Sequence, residues 1–210
     1  MSRRETLPAI PALPNKGEKL LHSDSVLAQI DQQFPESLER LFELLRFPTV
    51  ATDPAHNADC LKAARWLQDG LKAMGFEAEL RETTGQPVVI GKYQPGGGSS
   101  RLPHILFYGH YDVQPADPLG LWESPPFEPQ IRKGKDGKDR IFARGACDDK
   151  GQLMTFLEAS RIWLAVHGSL PFRLTVMCVG GGGWLVLRAA PKGLVLLELG
   201  LEACASLSVD

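Results

Sequence analysis

The chain of 210 residues has no run of 18 uncharged apolar residues, so no segment of it reads as a membrane span. It also lacks a dominant charge. Twenty-three Lys and Arg are set against 25 Asp and Glu, for a formal net charge of −2. Nucleic acids and anionic bilayers select strongly basic surfaces, so neither is expected as a partner. Cysteine is scarce. Cys60, Cys147, Cys178 and Cys204 are the only four, and none lies in a C-x-x-C pair. That argues against a disulfide framework or a structural zinc knuckle and fits free thiols in a reducing cytosol, so a cytoplasmic location is expected. Residues 1–20 are polar and proline-bearing, without the apolar core of a secretory leader. The Gly96-Gly97-Gly98-Ser99-Ser100 run is followed by neither Lys-Ser/Thr nor a helix start, so it reads as a loop and not as a phosphate cradle. No organic cofactor is expected.

What is present is a hydrophobic content of 43%, enough for one sizeable core. Residues 1–22, with Pro8, Pro11 and Pro14, read as a flexible N-terminal arm. Ser23 or Asp24 is placed to cap a helix carrying Val26, Ile30 and Phe34, and Pro35 suits the first turn of a second helix bearing Leu38, Leu41, Phe42 and Leu45. A further amphipathic helix presents Cys60, Ala63, Ala64, Leu67, Leu71 and Met74 on one face, with Gly75 at its end. Strands are expected at Phe76–Arg81, Val88–Tyr93, His104–Tyr108 and Phe172–Met177, and a hairpin over Ile131–Ile141. A helix with Leu153, Phe156, Leu157 and Trp163 follows Gly151 and closes at Gly168. Strands alternating with helices at this spacing predict an α/β fold, a sheet covered by helices.

Two stretches carry chemistry. The first, Leu-Phe-Tyr-Gly-His-Tyr-Asp-Val-Gln-Pro over Leu106–Pro115, ends an apolar strand at Gly109 and offers His110 and Asp112. Alternate residues of an extended chain share a face, so the imidazole and carboxylate point the same way. One imidazole nitrogen can bind a metal while a carboxylate holds the other N–H, although such a pair also occurs on ordinary surfaces. The second stretch, Arg144–Gly151, sets Asp148 and Asp149 at a helix start. Helix capping is one reading of these carboxylates. A carboxylate shared between metal ions, with a histidine on one of them, is the other. The remaining histidines, His22, His56, His104 and His167, have no partners at ligand spacing.

Three motifs in order, Gly109–Pro115, Trp122-Glu123-Ser124-Pro125-Pro126-Phe127-Glu128-Pro129 and Ala143–Gly151, resemble the di-zinc metallopeptidases and deacylases. That family includes carnosinase-like dipeptidases, acetylornithine deacetylase, succinyl-diaminopimelate desuccinylase and glutamate carboxypeptidase. The resemblance runs from about Ser25 to Cys178 and looks closest to the dipeptidase branch. It implies the N-terminal portion of a zinc-exopeptidase-like catalytic domain, a mixed sheet flanked by helices, truncated and without the lid and dimerisation domain. It implies His110 and Asp148 as metal ligands, with Asp148 bridging two ions, and Asp112 as the catalytic-site residue that orients His110. It also implies a cis Asp148–Asp149 bond. The ions would be two zincs, or cobalt or manganese in their place. Lys150 is expected as an ion-pair partner at the helix start.

The pattern breaks after the strand Phe172–Met177. Members of that family carry an acidic run there, whose carboxylates supply a general base and a ligand to the second metal. Here Cys178-Val179 leads into Gly180-Gly181-Gly182-Gly183. The expectation is therefore at most a partial metal site, with little activity. Residues 179–210 read as an atypical tail, either a frameshift or gene-model product or a genuine tail, with an apolar, poorly packed Val186–Ala205. The implied function is metal-dependent hydrolysis of an amide or peptide bond in a dipeptide. The alternatives are N-acyl amino acid deacylation and a non-catalytic metal-binding remnant or partner of a full-length paralogue. Members of the family are often homodimers.

Overall fold

The computed structural model describes residues 16–96, 102–181 and 194–197. Of three helices, α2 (Asn57–Ala73) and α3 (Lys150–His167) pack on a sheet, and α1 (Lys16–Leu45) packs on α3. The strands are β1 (Glu77–Arg81), β2 (Val88–Tyr93), β3 (His104–His110), β4 (Gln130–Lys133), β5 (Asp139–Phe142), β6 (Arg173–Val179) and β7 (Leu194–Leu197). The main sheet runs β1-β2-β6-β3-β7, and β4 and β5 form a separate hairpin. β1, β2 and β6 pair antiparallel, whereas β3 runs parallel to both β6 and β7. The α/β expectation holds, and the sheet is mixed.

Helix α2 forms as its spacing predicts. Cys60, Ala63, Ala64, Leu67 and Leu71 are all buried against the sheet. Its end is a Schellman motif: the Phe76 amide donates to the Leu71 carbonyl and the Gly75 amide to that of Lys72, with Gly75 at φ +86°. The small face of α2 lets it sit close to β2, where Leu71 lies against Gly91. α3 covers β3 on the same face, with Leu153, Met154 and Leu157 buried and Phe156 stacked on Phe107 at 3.9 Å between ring centroids. Val88, Leu106, Met177 and Val179 form a smaller cluster on the opposite face.

Three expectations change. The helix expected from residue 23 begins at Lys16, within the segment read as an arm; residues 1–15 lie outside the described residues. It also continues through Pro35 without a break. An interior proline loses one backbone hydrogen bond and crowds the preceding turn, at about 3 kcal/mol. Tertiary packing offsets this. Leu44 and Leu45 are fully buried beyond the proline, and Ser37 and Arg40 grip Glu158 of α3. Finally, Leu194–Leu197, part of the tail read as a loose appendage, is the fifth strand of the sheet, paired with His104–Phe107. Residues 182–193 and 198–210 lie outside the described residues, as does most of the Gly96–Ser100 loop.

Among the described residues no helix is long and apolar enough to cross a membrane. Cys60, Cys147 and Cys178 form no disulfide, and Cys204 lies outside the described residues.

Candidate metal centre

The parallel strands β3 and β6 end together, His110 standing opposite Val179. Ligand sites in open α/β sheets form beyond such carboxyl ends. β3 delivers His110 there, and the chain then leaves the sheet with Tyr111, Asp112 and Val113. The Tyr111 amide donates to the Val179 carbonyl, and the Tyr111 hydroxyl donates to the Pro87 carbonyl at 2.6 Å. Tyr111 is fully buried, so its ring anchors the loop on which His110 and Asp112 stand.

The Arg144–Gly151 loop brings Asp148 to the same place. Its Oδ1 lies 3.0 Å from His110 Nε2. The other ring nitrogen, Nδ1, lies 3.1 Å from the Asp112 carbonyl oxygen and 3.3 Å from Asp112 Oδ1. One imidazole therefore faces Asp148 on its outer edge and Asp112 on its inner edge. Burial disfavours a charged His110, but the hydrogen bond to Asp112 and the charges of Asp112, Asp149 and Asp148 outweigh it and raise its pKa to about 9. The Asp148 side chain is 64% exposed, so the outer edge opens to solvent.

The two adjacent aspartates do different work, and capping describes neither. Asp149 occupies the N-cap position of α3, yet its side chain makes no capping hydrogen bond. Its Oδ2 accepts the backbone amide of His110 at 2.9 Å. The peptide between Asp148 and Asp149 is cis. One carboxylate thus reaches out to the imidazole while its neighbour turns inward to the strand end. Gly109 makes room for this: a Cβ there would lie 3.1 Å from Asp149 Oδ2 and 3.3 Å from Leu153 Cδ1.

Lys150 is not the ion-pair partner expected of it. Its ammonium is fully buried and donates to the carbonyls of Leu44, at 3.1 Å, and Phe47, at 2.7 Å. The Leu44 carbonyl belongs to the last turn of α1, where helix carbonyls lack intrahelical donors, and that of Phe47 lies two residues beyond the helix. The burial of this cation lowers its pKa to about 7. Sequence reasoning also missed Thr49 and the separate role of Asp149. Thr49 is fully buried, its hydroxyl donates to the Tyr111 carbonyl at 2.6 Å, and its own carbonyl accepts the Val113 amide at 2.9 Å. It lies 62 residues away in sequence, so no local spacing could flag it.

The Trp122–Pro129 loop leans on the same region. Trp122 Nε1 donates to the Ala116 carbonyl, the Arg144 guanidinium lies 5.2 Å over the indole, and the Arg144 amide donates to the Pro126 carbonyl. His56 and His104 stay apart from the site: His56 sits beside Asp59, and His104 Nε2 is 2.9 Å from Thr175 Oγ1.

The chain beyond β6 passes close to the pair. A Cβ on Gly180 would overlap the Tyr111 hydroxyl, and one on Gly181 would lie 3.5 Å from Asp112 Oδ2. Among the described residues no group of three or more His, Cys, Asp or Glu side chains is arranged to hold a metal ion. A tetrahedral zinc with ligands near 2.0–2.1 Å sets neighbouring donors about 3.3 Å apart, so His110 and Asp148 fit two corners of one ion. They do not make up a two-ion centre.

A mixed sheet that sets a histidine at the carboxyl end of a parallel strand, with a carboxylate brought to it by the loop that leads into α3, has the architecture of the N-terminal portion of a zinc-exopeptidase-like catalytic domain. Residues 106–181 match Peptidase family M20/M25/M40, and the chain resembles that family over this stretch. It is 29% identical over 194 residues to a Cys-Gly metallodipeptidase of Candida albicans, covering 86% of this chain and 35% of that one. It is 36% identical over 137 residues to a succinyl-diaminopimelate desuccinylase of Aromatoleum aromaticum, covering 63% and 32% respectively. The solved structure of the dipeptidase Dug1p of Saccharomyces cerevisiae superposes with a TM-score of 0.64 at 25% identity, covering 76% of this chain and 35% of that one. The chain spans about a third of the length of the curated relatives it matches.

Proposed function

We propose that the chain carries half of a divalent-metal site of a peptide or amide hydrolase of the dipeptidase type. His110 and Asp148 hold one ion, zinc in the first place with cobalt or manganese as substitutes, and Asp112 holds the imidazole in its binding orientation. The observation that carries this reading is the 3.0 Å approach of His110 Nε2 to Asp148 Oδ1, made by two loops of the stretch that matches the metallopeptidase family. A bound metal would supply Lewis acidity toward a scissile carbonyl and acidify a water. His110 contributes a nitrogen donor whose other face is fixed by Asp112. Asp148 contributes an exposed carboxylate, and Asp149 fixes the strand end beneath both.

The donors present stop short of a catalytic centre, so no hydrolytic step is derived through them. A general base typically contributes about 10²–10⁴-fold, and no carboxylate among the described residues completes the site. We infer that this 210-residue chain binds metal weakly, in the cytoplasm, and hydrolyses dipeptides poorly. The four glycines at 180–183, where the family resemblance calls for acids, support a shifted reading frame near Cys178 as their origin. The region matching the family ends at residue 181, in keeping with this. A deacylase reading draws on the 36% identity to the desuccinylase. The substrate is then an N-acyl amino acid. A non-catalytic role, alone or beside a full-length paralogue, draws on the missing third donor.

The test is hydrolysis of Cys-Gly and of an N-succinyl amino acid by purified, zinc-supplemented chain, with zinc counted per molecule. Weak binding of at most one ion with negligible turnover supports the half-site. Two tight ions with turnover at the level of an intact metallopeptidase would overturn it.

A further inference from the structure

We propose that Thr49 is a positioning residue for the metal half-site, and that the turn it belongs to ties the two site loops together. This rests on the reading of His110 and Asp148 as metal ligands. The residues flanking Asp112 are both fastened to Thr49. Its hydroxyl donates to the Tyr111 carbonyl at 2.6 Å, and its carbonyl accepts the Val113 amide at 2.9 Å. Asp112 is thereby held from either side, with its carboxylate and its carbonyl both directed at His110 Nδ1. Thr49 itself cannot drift. It is fully buried, its amide donates to the Phe47 carbonyl at 2.9 Å, and the next amide, that of Val50, donates to Pro48 at 2.8 Å.

The same turn reaches the other loop. The Phe47 carbonyl that accepts the Thr49 amide also accepts the Lys150 ammonium at 2.7 Å. Lys150 follows Asp148 and Asp149 directly and is fully buried. One short turn after α1 therefore holds the His110–Asp112 loop through Thr49 and the Asp148–Asp149 loop through Phe47. The distance between His110 Nε2 and Asp148 Oδ1 depends on both. Partners that orient ligands from behind are typically worth about 10–100-fold in metal affinity, because an ion sums small errors in the placement of every donor. A threonine serves better here than valine of the same shape, since only the hydroxyl can satisfy the buried Tyr111 carbonyl.

The experiment compares wild type, Thr49→Val and Thr49→Ser as 210-residue chains. Zinc affinity is read by competition with a chromophoric chelator, well below each melting temperature. His110 is read in the metal-free protein by its ring ¹H–¹³C resonances at one fixed pH, assigned with His110→Gln. Thr49→Val should weaken zinc about 10-fold or more and shift the His110 resonances, while those of His104 stay in place. Thr49→Ser, which keeps the hydroxyl, should restore both to near wild type. If Thr49→Val lowers the melting temperature but leaves zinc affinity and the His110 resonances unchanged, Thr49 is only a packing residue and the inference fails. If wild type binds no zinc, the half-site reading fails, and the His110 resonances alone then decide the positioning role. If Thr49→Val does not fold, Thr49→Ala, which also lacks the hydroxyl, takes its place: a displaced His110 signal supports the inference, and an unmoved signal overturns it.

Discussion

Replacing Glu158 by Gln should destabilise the chain by about 2–3 kcal/mol, because that carboxylate joins α1 to α3. Its Oε1 accepts Arg40 Nε at 2.9 Å and Arg161 Nε at 3.1 Å, and its Oε2 accepts Arg40 Nη2 at 2.6 Å and Ser37 Oγ at 2.9 Å. A glutamine amide turned either way sets an NH₂ against two donors. Breaking a buried pair by removing one partner costs roughly 3–5 kcal/mol. The Glu158 side chain is 9% exposed but that of Arg40 is 27% exposed, so solvent screens part of this and brings it down to about 2–3 kcal/mol. At this chain length each kcal/mol moves the melting temperature by about 2–4 °C, so a fall of roughly 4–12 °C is expected. Burial tends to raise the Glu158 pKa, but the hydrogen bonds from Arg40 and Ser37 and the charges of Arg161 and Arg40 outweigh it and hold it below the ordinary value. A lowered folded pKa gives stability that is complete above the unfolded value near 4.3 and is lost as pH falls through the folded one. Urea denaturation from pH 7 down to pH 3 should therefore show the two proteins converging in acid. A difference below about 0.5 kcal/mol at pH 7, or one that does not narrow in acid, would refute this reasoning.

Other substitutions test other links. Pro35→Ala should stabilise the chain by about 1–3 kcal/mol in urea titrations, since α1 is already helical on both sides of the proline. Tyr111→Phe should cost about 1–2 kcal/mol by leaving the Pro87 carbonyl without its donor, and thermal melts would show it. Gly109→Ala pushes a methyl to 3.1 Å from Asp149 Oδ2, so it should cost about 1–3 kcal/mol in stability and weaken zinc in chelator competition. Leu71→Ala, in the packed centre between α2 and β2, should cost about 2–5 kcal/mol with no change in the metal affinity of the folded protein.

The fold was legible where local pattern and packing agree. The apolar face of α2 with Gly75 at its end, the β4–β5 hairpin and the strands β2, β3 and β6 all follow from periodicity and turn residues. α1 was misread at Pro35, because a proline rule describes a helix alone and says nothing of the contacts that Leu44, Leu45 and Arg40 make with the rest of the protein. The strand at Leu194–Leu197 was hidden for a similar reason. Four apolar residues have no period of their own, and only the free edge of β3 gives them a partner. At the site, residue types announced His110, Asp112 and Asp148 and the motif order gave their grouping. Thr49, Asp149 and Lys150 act through hydrogen bonds to main-chain groups, for which residue type carries no signal. Lys150 shows the limit most plainly: a lysine beside two aspartates invites an ion pair, but the helix end it meets in the fold offers carbonyls.

The proposed half-site rests on His110 and Asp148 acting together on one ion. Zinc titration of the metal-free chain, repeated with His110→Ala and Asp148→Asn, tests it most directly. Wild type should bind at most one ion, weakly, and both variants should lose affinity by about 10-fold or more at unchanged helical content. Zinc binding that neither substitution alters would contradict it.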